Sequence, residues 1–136
     1  MKHLQKFPVE HVLPLIGWPR KVKIKIPLGD IKTSVSSQRM LTYKYDGITC
    51  RYCGIKGRFF ALEKNGKKFN LNLYGYDEHN HEVMLTSDHI IPKSKGGSFY
   101  YWNRRCLCSK CNSKRGNEFL WEQMNFFRTN YHSFQF

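Results

Sequence analysis

The chain has 136 residues, the size of one compact domain, and 40% of them are hydrophobic. Its 23 lysines and arginines outnumber its 10 acidic residues and give a formal net charge of +13, so we expect a polyanionic partner, nucleic acid first and an acidic membrane surface second. No apolar run is long enough to span a membrane, and Pro8, Glu10, His11 and Pro14 interrupt the opening segment where a signal peptide is apolar, so we expect an intracellular protein in a reducing compartment.

The first half of the chain shows one strand pattern and one helix pattern. Residues 21–26, KVKIKI, alternate lysine with valine or isoleucine, which is the period of a half-buried strand whose lysine face is available to phosphates. A short helix is predicted to start at Ser36 or Ser37, which suit the N-cap, and to stop at Gly47.

A hairpin and a further strand follow. Residues 58–64 and 68–74 flank Asn65-Gly66, a strong two-residue hairpin signal. Residues 82–87, EVMLTS, form the next predicted strand, and His79 and His81 before it are predicted to be solvated turn residues.

The end of this strand carries the stretch SDHIIPKSKGG. Asp88 and His89 stand where the strand ends, and Gly96-Gly97 bend the chain. Of the aromatic residues 99–102, FYYW, alternate members are expected to pack in the core. A short helix is predicted from Cys108 to a stop at Gly116, and a last helix over residues 118–127.

Five cysteines are present, and four of them form two C-x-x-C pairs. These pairs, Cys50/Cys53 and Cys108/Cys111, have the spacing of two knuckles that complete a tetrahedral four-thiolate zinc site. Cys106 is an alternative ligand to Cys108, but we favour a small buried apolar role for it. We therefore predict a structural zinc clamp.

Polar residues are expected to converge beside this clamp. Asp88 and His89 end a strand, and Asn112 follows the last cysteine of the clamp at the start of a helix. A carboxylate and an amide oxygen suit a hard ion such as Mg²⁺, and a neutral histidine next to them can accept a proton from water.

The stretches CRYCG and LTSDHIIPKSKGG…N…LCSKCNSKRGN resemble the HNH, or ββα-metal, endonucleases. They are especially similar to small zinc-clamped HNH proteins of phages, for which the location would be the host cytoplasm. The resemblance is tight over residues 50–54 and 85–117, looser over 39–64, and absent from the first thirty-odd residues.

The resemblance implies a role for each matching residue. His89 is the general base, Asp88 and Asn112 are ligands of a catalytic Mg²⁺ or Mn²⁺, and Asn103 ties the loop that orients the base. Cys50, Cys53, Cys108 and Cys111 are the structural zinc ligands. The third motif position holds Asn112 rather than histidine, which favours Mg²⁺ or Mn²⁺ over softer ions.

The implied fold class is α+β, a ββα-metal (HNH) fold with a four-cysteine zinc clamp. An extra β-hairpin is inserted between Cys53 and Asp88. Residues 1–47 are interpreted as a basic N-terminal extension of one strand and a short helix, and residues 48–136 as the zinc-clamped nuclease domain.

The segment between His89 and Asn117 contains no acidic residue. Around a metal-hydrolysis motif this imbalance indicates phosphate binding rather than a merely solvated face. The candidate nucleic-acid-binding residues are Lys93, Lys95, Arg104, Arg105, Lys114 and Arg115.

Two function classes follow. The first is a metal-dependent DNA endonuclease, nicking or homing-like, that uses water activated by His89 and leaves 5′-phosphate and 3′-hydroxyl ends, as a monomer or a homodimer, with RNA as an open alternative substrate. The second is a non-catalytic zinc module that binds nucleic acid or a protein.

Overall fold

The computed structural model describes residues 2–17, 19–26 and 29–115. A five-stranded antiparallel sheet with strand order β1-β4-β5-β6-β7 lies beside a separate two-stranded ribbon, β2-β3. The strands are β1 Gln5–Pro8, β2 Lys21–Ile26, β3 Gly29–Ser34, β4 Phe59–Asn65, β5 Lys68–Tyr76, β6 Glu82–His89 and β7 Arg104–Cys108. The helices are α1 Val9–Val12, α2 Gln38–Tyr45 and α3 Ser109–Arg115, and short 3-10 turns cover residues 13–15, 93–95 and 101–103.

The last four strands of the sheet follow one another along the chain. The predicted β4–β5 hairpin is present, but it turns at Gly66-Lys67, one residue later than the predicted Asn65-Gly66, with Gly66 in the left-handed region at φ 65°. Strand β6 runs through to His89, so Asp88 and His89 are the last residues of the strand rather than residues beyond it. The unit β6–β7–α3 is a ββα arrangement, and the predicted α+β fold class is confirmed.

The two faces of the sheet differ. One face carries Phe60, Leu62, Leu73 and Leu85, which are almost fully buried and form the main core with helix α2. The other face carries a smaller apolar cluster, Phe59, Ala61 and Tyr74 with Met84 against it. Successive residues of a β-strand point to opposite faces of the sheet, so the same strands contribute side chains to both clusters.

Residues before 48 share this core. Strand β1 pairs with β4, with Phe7 opposite Phe60, and Met40 and Tyr43 of helix α2 are buried in the main core. The Ser37 hydroxyl accepts a hydrogen bond from the Met40 N–H, which confirms the predicted N-cap. The division of the chain near residue 47 stays a prediction, but the two parts pack against each other.

Three strands, β1, β3 and β7, were not predicted from the sequence patterns. Strand β1 has four residues and is fixed by its pairing to β4, a contact between distant parts of the chain. Strand β3, GDIKTS, contains a single large apolar residue, Ile31. The last predicted helix, over residues 118–127, and Gly116, the predicted stop of the preceding helix, lie outside the described residues. No helix within the described ranges is long and apolar enough to cross a membrane.

A buried carboxylate joins the N-terminus to the sheet. Glu63 is fully buried, and its carboxylate accepts hydrogen bonds from Asn72 Nδ2 at 2.6 Å and from the Tyr74 hydroxyl at 2.8 and 2.9 Å. His3 lies between Glu63 and Glu82, with each ring nitrogen 2.6 Å from a carboxylate oxygen. No sequence pattern indicated a role for His3, because its partners are sixty and seventy-nine residues away.

Replacement of Glu63 by alanine is expected to destabilise the fold. Asn72 and Tyr74 would keep buried donors without their acceptor, at a cost of about 1–3 kcal/mol each. Chemical denaturation of Glu63→Ala should show this loss, whereas Glu78→Ala, with a side chain that is 82% exposed, should stay within about 0.5 kcal/mol of the unmodified protein. Equal stability of the two variants would contradict the assigned role of Glu63.

Candidate functional site

Strands β6 and β7 hold the predicted site at one end of the sheet. In their register Asp88 lies opposite Arg105, and His89 lies opposite Arg104. The connection between the strands runs from Ile90 to Asn103 and contains the two glycines singled out in the sequence. The pairing therefore fixes the two ends of this loop next to Asp88 and His89.

Asn103 binds the loop together from inside. The residue is buried, and its side-chain oxygen accepts the Ile91 N–H at 3.0 Å. Its amide nitrogen donates to the carbonyl oxygens of Ile91 at 3.1 Å and of Ser98 at 2.8 Å. The backbone of Asn103 also accepts the Ile90 N–H at 2.8 Å. Asn103 thus connects Ile90 and Ile91, which follow the Asp88-His89 pair, to Ser98 on the far side of the loop.

Gly97 makes this loop possible. A Cβ at position 97 would overlap the carbonyl oxygen of Ile91 and would lie 2.8 Å from Asn103 Nδ2. Gly96 meets a different requirement, because its φ of 85° lies in the left-handed region although its surroundings are open. One glycine therefore serves a close approach and the other a turn.

Helix α3 packs across strand β6 on the Asp88 side. Thr86 and Asp88 are two residues apart and share one face of the strand, and Asn112 and Arg115 are three apart and share one face of the helix. Asn112 Nδ2 donates to the Thr86 hydroxyl at 3.0 Å, and Arg115 Nη1 donates to Asp88 Oδ2 at 2.5 Å. The helix thus brings both an amide and a guanidinium to the neighbourhood of Asp88.

Two of the predicted phosphate-binding arginines are buried instead. Arg115 is 6% exposed and also donates to the Ile90 carbonyl at 3.2 Å, and Arg105 is 1% exposed with Nη2 3.8 Å from Asp88 Oδ2. In this conformation neither guanidinium faces solvent, so the expected direct phosphate contact is not available to them. A count of charges along the sequence cannot tell which of them point inward.

The other predicted nucleic-acid-binding residues are accessible. Lys93, Lys95 and Lys114 are exposed, and Arg104 is half-buried with its guanidinium 4.8 Å from the centre of the Phe99 ring. Their phosphate contacts stay a prediction.

The environment of His89 favours its neutral form. Burial and the positive charges of Arg104, Lys93 and Arg115 lower the pKa of His89 below its ordinary value, against the opposing effect of the Asp88 carboxylate. A neutral imidazole has a ring nitrogen that can accept a proton at neutral pH.

The donor set around Asp88 suits a hard cation only in part. A carboxylate and, from Asn112, an amide are oxygen donors of the type that Mg²⁺ and Mn²⁺ take. The guanidinium groups of Arg115 and Arg105 already approach the Asp88 carboxylate at Oδ2. A divalent ion at Asp88 therefore competes with an arginine that compensates the carboxylate charge.

The four predicted zinc ligands come together. The Sγ atoms of Cys50, Cys53, Cys108 and Cys111 all lie within 4.8 Å of one another, and we call this group the cysteine cluster. The Cys53 N–H points to Cys50 Sγ at 3.5 Å, and the Cys111 N–H points to Cys108 Sγ at 3.4 Å. Four sulfur donors at this spacing fit one tetrahedral metal ion such as zinc.

The chemistry of the fifth cysteine differs from that of the cluster. Burial raises the pKa of the Cys50 thiol, but backbone N–H groups of Cys53, Cys108 and Tyr52 more than offset this and lower it to about 7. Cys106 is fully buried outside the cluster, and burial raises its pKa above the ordinary value. The structure therefore separates Cys106 from the metal ligands, in agreement with its predicted apolar role.

Asp46 ties the cysteine cluster to its surroundings, a role that the sequence did not indicate. Its carboxylate accepts hydrogen bonds from the Arg51 guanidinium at 2.6 and 3.1 Å and from the Cys106 N–H at 2.8 Å. The Arg51 N–H in turn donates to the Cys106 carbonyl at 3.0 Å. The end of helix α2, the first cysteine pair and strand β7 are thus fixed to one another.

The aromatic residues of the loop are more exposed than expected. Phe99, Tyr100 and Trp102 are 61%, 49% and 43% exposed, so the expected core packing of alternate residues is wrong for this segment. Tyr100 stacks on Trp102 with ring centres 4.7 Å apart, and the half-buried Tyr101 stacks on Tyr45 at 4.8 Å. The chain compensates part of this exposure by pairing aromatic rings with one another.

Replacement of Asn103 by alanine is expected to loosen the loop at one defined amide. The Ile91 N–H would lose its side-chain acceptor, whereas the Ile90 N–H would keep the backbone carbonyl of residue 103. Hydrogen exchange should therefore accelerate more at Ile91 than at Ile90, and Asn65→Ala in the exposed β4–β5 turn should change neither. Unchanged exchange at Ile91 would contradict this account of the loop.

Removal of one cluster thiol is expected to release zinc and to unfold the site. Apparent binding free energies of structural zinc are about 10–16 kcal/mol, so Cys108→Ala should lose its metal and much of its thermal stability. Cys106→Ala, which removes a buried thiol outside the cluster, should keep one zinc per chain. Elemental analysis and thermal unfolding check both variants, and metal loss in Cys106→Ala alone would reverse the ligand assignment.

Comparison with known proteins agrees with the geometry. A family model described as HNH endonuclease matches residues 77–125, which include β6, the loop, β7 and α3. No curated protein and no solved structure shows significant similarity to the chain. The matched segment contains Asp88, His89, Asn103 and Asn112, which are part of the resemblance, whereas the CRYCG stretch at residues 50–54 lies outside it. On this match, residues 77–125 of the chain are similar to the HNH endonuclease family.

Proposed function

We propose that the protein is a metal-dependent endonuclease that hydrolyses phosphodiester bonds of DNA. The observation that carries this proposal is the coincidence of the HNH family match with the β6–β7–α3 unit. That unit sets Asp88 and His89 at a strand end, binds the following loop through Asn103 and packs helix α3 over the pair.

His89 is the proposed general base. Its lowered pKa keeps the imidazole neutral at the pH of most cells, and its place at the loop edge leaves it half-buried rather than enclosed. A positioned histidine of this kind takes a proton from water as the water attacks phosphorus. Asn103 acts on this step indirectly, because it fixes the backbone that follows His89.

Asp88 and Asn112 are the proposed ligands of a catalytic Mg²⁺ or Mn²⁺. Such an ion, when bound, stabilises negative charge on the phosphate and on the leaving 3′ oxygen. The chain contributes the carboxylate, the amide and a cationic surrounding. Arg115 would have to give up part of its contact with Asp88, so we expect the ion to bind weakly until nucleic acid adds phosphate oxygens to the site.

The proposed reaction determines the ends of the cut strand. In-line attack of water with departure of the 3′ oxygen leaves 5′-phosphate and 3′-hydroxyl ends. Lys93, Lys95, Arg104 and Lys114 belong to the loop, strand β7 and helix α3 that form the site, none of them is buried, and they are the proposed phosphate contacts. A single site cuts one strand, so nicking is the expected basic activity, and double-strand cutting would require two copies. The cysteine cluster is proposed to hold a structural zinc ion.

Conversion of supercoiled plasmid to the open-circle form in Mg²⁺ or Mn²⁺ tests the activity. His89→Ala is expected to slow cutting by about 10²–10⁴-fold, because a positioned general base contributes about that factor. Its zinc content and its circular dichroism spectrum should match those of the unmodified protein.

His79→Ala is the matched control for this variant. His79 is 72% exposed and lies in the β5–β6 turn, so its removal should leave cutting unchanged. Retarded but uncut plasmid, with zinc in place, would instead assign the protein to the alternative class of non-catalytic zinc modules. Cutting by His89→Ala at the unmodified rate would remove His89 from the mechanism.

A further inference from the structure

The β2–β3 ribbon carries a one-sided lysine surface. In its register Lys21 lies opposite Ser34, Lys23 opposite Lys32, and Lys25 opposite Asp30. Directly opposite residues share a face of a β-ladder, and residues two apart along a strand do too. Four lysines therefore project from the same face, with Asp30 as the acidic residue among them. We call Lys21, Lys23, Lys25 and Lys32 the lysine face.

The opposite side of the ribbon fixes this orientation. Val22, Ile24, Ile26 and Ile31 pack against the main core, and the buried Thr33 donates a hydrogen bond from its hydroxyl to the Phe69 carbonyl at 2.9 Å. A flip of the ribbon would bury lysines and expose these apolar groups. The lysine face is consequently held outward by the fold, and all four lysines are exposed.

The charges of the lysine face are not compensated within the part of the chain that the structure describes. None of the four lysines forms an ion pair with a described residue, Asp30 included. Lys23 and Lys32 are directly opposite each other, an arrangement that destabilises a ladder. A bound polyanion would offset this repulsion between the lysines, so the lysine face is suited to bind one.

The ribbon lies at the same end of the sheet as His89. Leu73 of β5 pairs with Leu85 of β6 in antiparallel register, so the start of β5 at Phe69 and the end of β6 at His89 lie at the same end. Thr33 attaches the ribbon to Phe69 at that end. The lysine face and the candidate site are therefore neighbours across one edge of the domain.

Helix α2 connects the ribbon directly to the loop of the site. The helix starts at Gln38, four residues after β3 ends, and the Gln38 side-chain oxygen accepts the Tyr101 N–H at 2.7 Å. Thr42 in the same helix is hydrogen-bonded to Ser87 at 2.9 Å, just before Asp88. The ribbon is thus fixed in place relative to the site rather than attached by a free linker.

We infer that the lysine face is a second nucleic-acid contact surface, which binds phosphates of the strand being cut, or of its duplex, away from the scissile bond. This inference rests on the proposed function for the identity of the polyanion. The face presents lysine, serine and aspartate, and it lacks the arginine, asparagine and glutamine that read base edges. Its contribution is therefore to affinity and placement, independent of base sequence.

An acidic membrane surface is the other polyanion to consider. The outward face of the ribbon carries no aromatic or aliphatic residue that would enter a lipid interface. Charge alone would then have to hold the protein on a bilayer. Nucleic acid is favoured, because the same end of the domain carries the HNH site.

The test compares two double variants that each remove two positive charges. Lys23→Gln/Lys32→Gln alters the lysine face. Lys2→Gln/Lys56→Gln alters two exposed lysines elsewhere, and Lys56 lies against Gly75, near the opposite end of strand β5. Fluorescence anisotropy with a labelled duplex oligonucleotide, over a series of salt concentrations, measures the dissociation constant of each variant.

The lysine-face variant is expected to bind more weakly at every sequence tested. Its slope of log affinity against log salt should fall by about 0.9 for each phosphate that the face no longer neutralises, whereas the control variant should keep the slope of the unmodified protein. Its melting temperature should be unchanged or higher, since the repulsion between Lys23 and Lys32 is gone. Weaker binding with a lower melting temperature would mean damage to the fold and would overturn the inference.

The outcome is separable from that of the proposed function. Binding is measured without Mg²⁺, so it can be read even if no cutting is ever observed. Equal salt slopes for the two double variants would overturn the inference and leave the nuclease proposal intact. Loss of binding to anionic phosphatidylserine vesicles, with DNA binding retained, would overturn it in favour of a membrane surface.

If cutting is observed, it provides a second measure. Single-turnover cleavage by the lysine-face variant should need more protein to reach half of its maximal rate, while the maximal rate itself stays close to that of the unmodified protein. A lower maximal rate at saturating protein would assign Lys23 and Lys32 to the cleavage step and contradict a remote contact.

Discussion

The position at which helix α3 begins depends on the cysteine cluster, and most of the candidate site depends on that helix. Cys108 is the last residue of strand β7, and Cys111 lies in the first turn of α3. Sulfur atoms held within 4.8 Å of those of Cys50 and Cys53 fix both elements to a knuckle fifty-five residues away in sequence. Asn112 and Arg115 follow directly, so their contacts with Thr86 and Asp88 are set by a constraint outside the site.

The electrostatics of the site follow from the same helix. Asp88 is a carboxylate beside two buried arginines, one from β7 and one from α3. Burial, together with positive charge that exceeds negative charge around His89, lowers the pKa of its imidazole. The same positive charge makes the surroundings attractive to phosphate. The same excess means that a divalent ion must compete with a cation of the protein for this carboxylate. Binding of metal and of nucleic acid are consequently expected to support each other.

Much of the site could be read from local sequence, because its parts lie close together along the chain. The paired cysteines and the Asp88-His89 strand end each have a local pattern with a physical reason, whereas the role of Asn103 was implied by the family resemblance alone. The burial of Arg115 does not, because lysine and arginine in a short basic helix look alike until the helix is placed against β6. The partners of His3, Asp46 and Thr33 could not be predicted from local sequence either, since each contact joins distant segments of the chain. Strand β3 was missed for a related reason: its regularity lies in its pairing with β2 rather than in its own alternation.

Cys106 has a consequence for how copies of the protein can associate. Strand β7 is the last strand of the sheet, and an outer strand normally offers unpaired N–H and C=O groups to any other chain. At Cys106 the N–H is taken by Asp46 and the C=O by the Arg51 N–H. These two contacts block extension of the sheet by edge-to-edge pairing at the middle residue of the strand. A second copy of the chain therefore cannot pair with strand β7 through the backbone groups of Cys106.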